Sequence, residues 1–81
     1  MRVKILFFAS ARELTGETNI CLDLEEGALS DTLPGKLQQL YPDLDIERDR
    51  MSIAINQVYI REPTLLKEGD TIAILPPISG G

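Results

Sequence analysis

The spacing of apolar residues changes twice along this chain, and those changes constrain its fold more than any other feature. From Arg2 to Phe8, Val3, Ile5 and Phe7 fall on one side and Lys4, Leu6 and Phe8 on the other, which is the two-residue period of a strand. Thr18 to Leu24 repeats the pattern, with Ile20, Leu22 and Leu24 opposite Asn19, Cys21 and Asp23. The period then lengthens: Leu29, Leu33, Leu37 and Leu40 recur at the spacing of one helix face. Alternation returns at Met51–Ile55, Val58–Ile60 and Thr71–Leu75, where Ile72 and Ile74 oppose Ala73 and Leu75. One amphipathic helix between two sets of half-buried strands packs best across one face of a shared sheet.

Turn residues punctuate these segments. Ser10 to Leu14 predicts a short helical turn that stops at Gly16. Ser30 is the expected N-cap of the main helix, Asp31 suits its positive end, and Pro34 is tolerated in its first turn. Pro42 ends it after Tyr41, so the predicted helix runs over about 31–41. Asp43 to Arg50 is charged and has neither period, which predicts an exposed loop. Asn56-Gln57 reads as a hairpin turn, Leu65 and Leu66 as a return to the core, and Glu68-Gly69-Asp70 as a further turn. Pro76-Pro77 closes the last strand, because proline cannot donate to a ladder. The expected fold is α+β with a β-grasp, ubiquitin-like arrangement: a mixed sheet with one main helix on one face. Residues 1–75 form the domain and residues 76–81 an extended tail.

At 81 residues the chain makes one small core and has no room for a cleft between domains. Its net charge is −5 and its eight Lys and Arg are scattered, which argues against nucleic acid and favours a basic protein surface as partner. It has no histidine, the usual general base near neutral pH, and no carboxylate is placed for that role, so no catalytic residue is expected. Gly35-Lys36 lacks the earlier glycine of a phosphate loop, and the acidic run Asp43, Asp45, Glu47 and Asp49 lacks a calcium loop's glycine and final glutamate. No metal site is expected. The N-terminal apolar run is too short for a signal peptide and no segment approaches the roughly 20 residues that span a bilayer, so a cytoplasmic location without membrane contact is expected. The single Cys21 is expected to be inert.

The chemistry is concentrated at the end, Leu75-Pro76-Pro77-Ile78-Ser79-Gly80-Gly81. Adjacent prolines favour a stiff, extended segment. Glycines lack a Cβ and fit a channel too narrow for other residues. The Gly81 carboxylate becomes an electrophile when adenylated by ATP, and attack by sulfide or persulfide then leaves a thiocarboxylate. Gly80, Ser79, Pro77 and Pro76 are the residues expected to thread into a partner.

These features resemble the small, MoaD-like subunit of molybdopterin synthase. The resemblance rests on Val3-Lys4-Ile5-Leu6-Phe7-Phe8-Ala9 with Ala11-Arg12-Glu13-Leu14 and Gly16, on Ala54-Ile55-Asn56-Gln57, and on Leu66 to Ala73 with the Pro-Pro-x-x-Gly-Gly ending. It covers nearly the whole chain. It implies a sulfur carrier in molybdenum-cofactor biosynthesis that holds no permanent cofactor. An E1-like enzyme would use ATP to adenylate Gly81, a sulfur donor enzyme would form the thiocarboxylate, and the large synthase subunit would receive the tail and supply the catalytic side chains. The implied assembly is a heterotetramer, two small subunits capping a dimer of large ones. A carrier for another pathway, such as thiamin, and a ubiquitin-like modifier joined to lysines through Gly81 are the alternatives.

Strand parity adds a second expectation. Phe8 and Leu75 fall on the sheet face away from the core, and Tyr59 is placed with them. Apolar residues grouped near a functional tail mark a docking surface for the activating enzyme and the large subunit.

Overall fold

The computed structural model describes residues 1–78. Strand β1 (Arg2–Phe7) is followed by helix α1 (Ala9–Thr15), β2 (Asn19–Asp23), a 3₁₀ turn (Ser30–Thr32), helix α2 (Leu33–Leu40), β3 (Ser52–Ile55), β4 (Val58–Ile60) and β5 (Thr71–Leu75). The five strands form one sheet in the order β2-β1-β5-β3-β4. β1 pairs with β2 antiparallel and with β5 parallel, and β3 is antiparallel to both β5 and β4. This is the predicted mixed sheet with one main helix, α2, and the helical turn expected at Ser10–Leu14 is the short helix α1. α1 forms the connection between β1 and β2, and it ends at Gly16, whose φ of 73° is the left-handed conformation that suits glycine.

The core lies on one side of the sheet. Val3, Ile5, Phe7, Ile72 and Ile74 meet Ala11, Leu33, Leu37 and Leu66, all buried. Phe7, fully buried, packs edge-on against Tyr41 at 5.7 Å between ring centroids and 75° between planes. Burial, with a smaller contribution from Glu17, raises the Tyr41 phenol above its ordinary pKa.

Four local expectations are corrected. The segment after α2 is turn-rich but not an exposed loop, since Leu44 and Ile46 are buried at 0% and 4% exposure and close the core below the helix. Two apolar side chains are too few to show a period. Ser30 does not cap the helix. It is buried, and its hydroxyl accepts the Thr64 N–H at 2.9 Å, fastening the loop before β5. The regular helix accordingly starts at Leu33, with Pro34 in its first turn. Finally, Leu29, Leu40 and Leu65 are exposed, and Leu29 forms an isolated bridge to Leu65. Leu29 precedes α2 and Leu40 is its last residue, so neither sits on the middle of the helix that packs on the sheet.

A polar clamp fixes the β3–β4 hairpin to the start of β5. Asn56 Nδ2 donates to Asp70 Oδ1 at 2.9 Å, and the Lys67 N–H donates to Asp70 Oδ2 at 2.8 Å. The Thr71 N–H donates to Asn56 Oδ1 at 3.0 Å, and the Asn56 N–H to the Thr71 carbonyl at 2.8 Å. Asp70→Ala leaves two donors unpaired and should cost about 1–3 kcal/mol in urea unfolding. The exchange Asn56→Asp with Asp70→Asn preserves every donor and acceptor, so it should recover most of that loss. A double variant as unstable as Asp70→Ala would refute the clamp.

Candidate functional site

The face of the sheet opposite the helices carries no covering layer. Its outward residues follow from the register: Leu6 is opposite Ala73, Ala73 opposite Ala54, and Ala54 opposite Tyr59. The two alanines are small and form a floor. Leu6, Phe8, Leu75 and Tyr59 rise around it as walls, while Asn56, Gln57 and Thr71 form a polar end. The resulting groove holds about 520 Å³. That volume falls in the range of ligand pockets, yet no charged or metal-ligating side chain lines it to fix a small polar molecule. An open apolar groove of this kind is built for contact with another surface.

The predicted docking residues Phe8, Tyr59 and Leu75 therefore border one groove. Phe8 and Leu75 are half-buried and Tyr59 is 53% exposed. The pairing of Tyr59 with Ala54 places it on the groove face, on the side where the sequence reading put it. Leu6, Ala54 and Ala73 were missed as contributors. The same alternation that identified Phe8 carries them, but small residues give no sign that they form a floor.

The tail begins at the edge of this groove. The Phe8 N–H donates to the Ile74 carbonyl at 3.1 Å, so the end of β5 is held beside the end of β1. Pro76, Pro77 and Ile78 follow with no regular structure and are exposed. Ser79, Gly80 and Gly81, expected to carry the threading and the chemistry, lie outside the described residues.

The distribution of charge corrects the simple expectation from net charge. The outward strand positions hold only Arg2, Lys4 and Asp23 as charged groups. Arg2 Nε donates to Asp23 Oδ1 at 3.0 Å, an exposed pair of little energetic worth. The hydrogen bond from Arg2 holds the Asp23 carboxyl below its ordinary range. The negative excess of the chain thus sits in the loops and turns, and none of it lines the groove. Cys21 is exposed on β2 across from Lys4. Among the described residues, no group of His, Cys, Asp and Glu is arranged to hold a metal ion, and no helix is long and apolar enough to cross a membrane.

The two aromatic neighbours Phe7 and Phe8 point to opposite sides and should respond oppositely. Phe7→Asp places an unpaired charge in the core and should abolish cooperative unfolding. Phe8→Asp, on the uncovered face, should cost about 1 kcal/mol or less. Thermal melts followed by circular dichroism distinguish them, and equal losses would contradict the two-sided assignment.

Comparison with known proteins gives the context. The pattern of the ThiS family matches residues 5–81. The chain is 37% identical over 83 residues to the molybdopterin synthase sulfur carrier subunit of Chlamydomonas reinhardtii, with all of both chains covered. The solution structure of small archaeal modifier protein 1 from Methanosarcina acetivorans superposes with a TM-score of 0.77 at 32% identity, covering 99% of this chain and 96% of that one. A complex of subunits 1 and 2 of the molybdopterin-converting factor from Helicobacter pylori contains a chain with a TM-score of 0.60 and 26% identity, with full coverage of both.

Proposed function

This chain belongs to the ThiS family, and from that premise we propose that it is the sulfur carrier subunit of a molybdopterin synthase. The end-to-end match to the algal sulfur carrier subunit is the observation that carries the reading.

The chemistry is that of an activated carboxylate. An E1-like enzyme binds the carrier, and a Gly81 carboxylate oxygen attacks the α-phosphorus of ATP and expels pyrophosphate. The acyl adenylate is then open to sulfur. Hydrosulfide expels AMP and leaves a thiocarboxylate, and a persulfide-bearing donor enzyme reaches the same product once a thiol cleaves the S–S bond. In the large subunit the thiocarboxylate sulfur displaces an oxygen substituent from a carbon of the pterin precursor, the C–O bond breaking as the C–S bond forms. Hydrolysis of the resulting thioester leaves the sulfur on the pterin and returns Gly81 to a carboxylate. The carrier supplies no acid, base or metal to these steps and binds no permanent cofactor. The cytoplasm is the compartment proposed, with two carriers capping a dimer of large subunits.

The body of the domain supplies recognition. The groove between Phe8, Tyr59 and Leu75 seats the activating enzyme and then the large subunit, and Pro76 and Pro77 leave the domain at its rim. Residues 1–75 are the docking body and residues 76–81 the delivered arm. The archaeal modifier supports a second reading, in which the same adenylate is captured by a lysine amine to give an isopeptide bond.

Intact mass after co-expression with the activating enzyme tests the carrier reading. A species with one oxygen replaced by sulfur is expected, and isopeptide conjugates without that species would favour the modifier. Removal of Gly80 and Gly81 should abolish sulfur transfer with the melting temperature unchanged. Phe8→Asp and Leu75→Asp should each weaken binding to the large subunit at least tenfold, the loss typical of a central interface residue. Wild-type affinity in both would reject the groove as the seat.

A further inference from the structure

The β3–β4 turn holds a second recognition element. Ile55 pairs with Val58 across the two-residue loop Asn56-Gln57, and both loop residues have positive φ, 50° and 71°. A two-residue hairpin with positive φ at both positions strongly favours glycine second, because the left-handed region crowds a Cβ. Asn56 is compensated, since its side chain makes the hydrogen bonds to Asp70 and Thr71. Gln57 has no such return. Among the described residues its side-chain amide forms no hydrogen bond within the chain, it is exposed, and it lies at the polar end of the groove. A strained residue whose side chain does nothing for the fold points to a role outside it.

We propose that Gln57 reads the docked large subunit, its side-chain amide exchanging a hydrogen bond with a backbone amide or polar side chain at the groove's polar end. The inference rests on the groove being the docking seat. The partner chemistry follows from the lining. Apart from the Tyr59 phenol the walls are apolar, so a partner that fills them finds its hydrogen-bonding groups at the end where Gln57 stands, next to Asn56, whose side-chain amide already bonds Asp70 and Thr71. The amide has both a donor and an acceptor, which suits a peptide group.

The test uses the full chain and the large subunit encoded in the same genome, with calorimetric titration and thermal melts of Gln57→Gly, Gln57→Ala and Phe8→Asp. Gln57→Gly removes both the strain and the amide. Its melting temperature should rise by about 4–8 °C while affinity falls roughly threefold to tenfold. Gln57→Ala keeps the crowded backbone and removes only the amide, so affinity should fall equally with melting within about 2 °C of the wild type. A role confined to the fold cannot move stability and affinity in opposite directions. Wild-type affinity in Gln57→Ala overturns the proposal, as does a Gln57→Gly variant that gains no stability. A loss seen only with the activating enzyme overturns the choice of partner. Wild-type affinity in Phe8→Asp removes the docking seat itself. Weakened Phe8→Asp beside unaffected Gln57→Ala removes Gln57 alone.

Discussion

Parallel pairing of β1 with β5 places the first and last strands side by side at the centre of the sheet, with Ile5 opposite Ile72 and Phe7 opposite Ile74. Parallel neighbours run the same way, so the residues that leave β5 emerge beside those that leave β1. Phe8 and Leu75 meet for that reason, and the bond from the Phe8 N–H to the Ile74 carbonyl fixes the meeting point. The pairing also demands a long crossover. Helices, 3₁₀ turn and loops together cover one face of the sheet, leaving the other bare. Groove and tail are thus consequences of one topological choice.

The bare face is tolerable because it is graded. Toward the start of β1 it is polar, with Arg2 paired to Asp23 and with Lys4; toward the end it becomes Leu6, Phe8 and Leu75. Apolar area confined to one end, with alanines at its base, limits the patch that water must cover. No charged side chain lines the groove, so a partner there meets no fixed charge at its walls despite the net negative charge of the chain.

Much of this was legible because a strand has an exact two-residue period. Parity alone assigned Val3, Ile5 and Phe7 inward and Phe8 and Leu75 outward, and the register adds only which outward residues touch. What escaped the sequence depends on single long-range contacts with no period. Leu44 and Ile46 are hidden in a charged stretch, and their burial follows from how the chain returns beneath α2. Ser30 has the composition of a cap, yet its hydroxyl is taken by Thr64, far along the chain. The strain at Gln57 needs a backbone angle, which residue identity does not supply. The terminal glycines were singled out for a different reason: the chemistry expected of them belongs to the residues themselves, and they lie outside the described residues.

On the proposed reading, a carrier that lends no catalytic group of its own must still deliver its terminus accurately, and the entropy of the tail sets the difficulty. Each freely rotating residue ordered on insertion costs about 1–2 kcal/mol of backbone entropy. Six such residues would consume most of the binding energy of a modest interface. Proline's ring restricts φ in advance, so Pro76 and Pro77 lose less on threading than flexible residues would. Glycine at the end loses the most, but steric access to the reacting carbon requires it there. The division is physical: restriction where the tail leaves the domain and freedom only where chemistry needs a narrow backbone. Holding the domain by its groove at the point where the prolines begin shortens the free segment to those last residues.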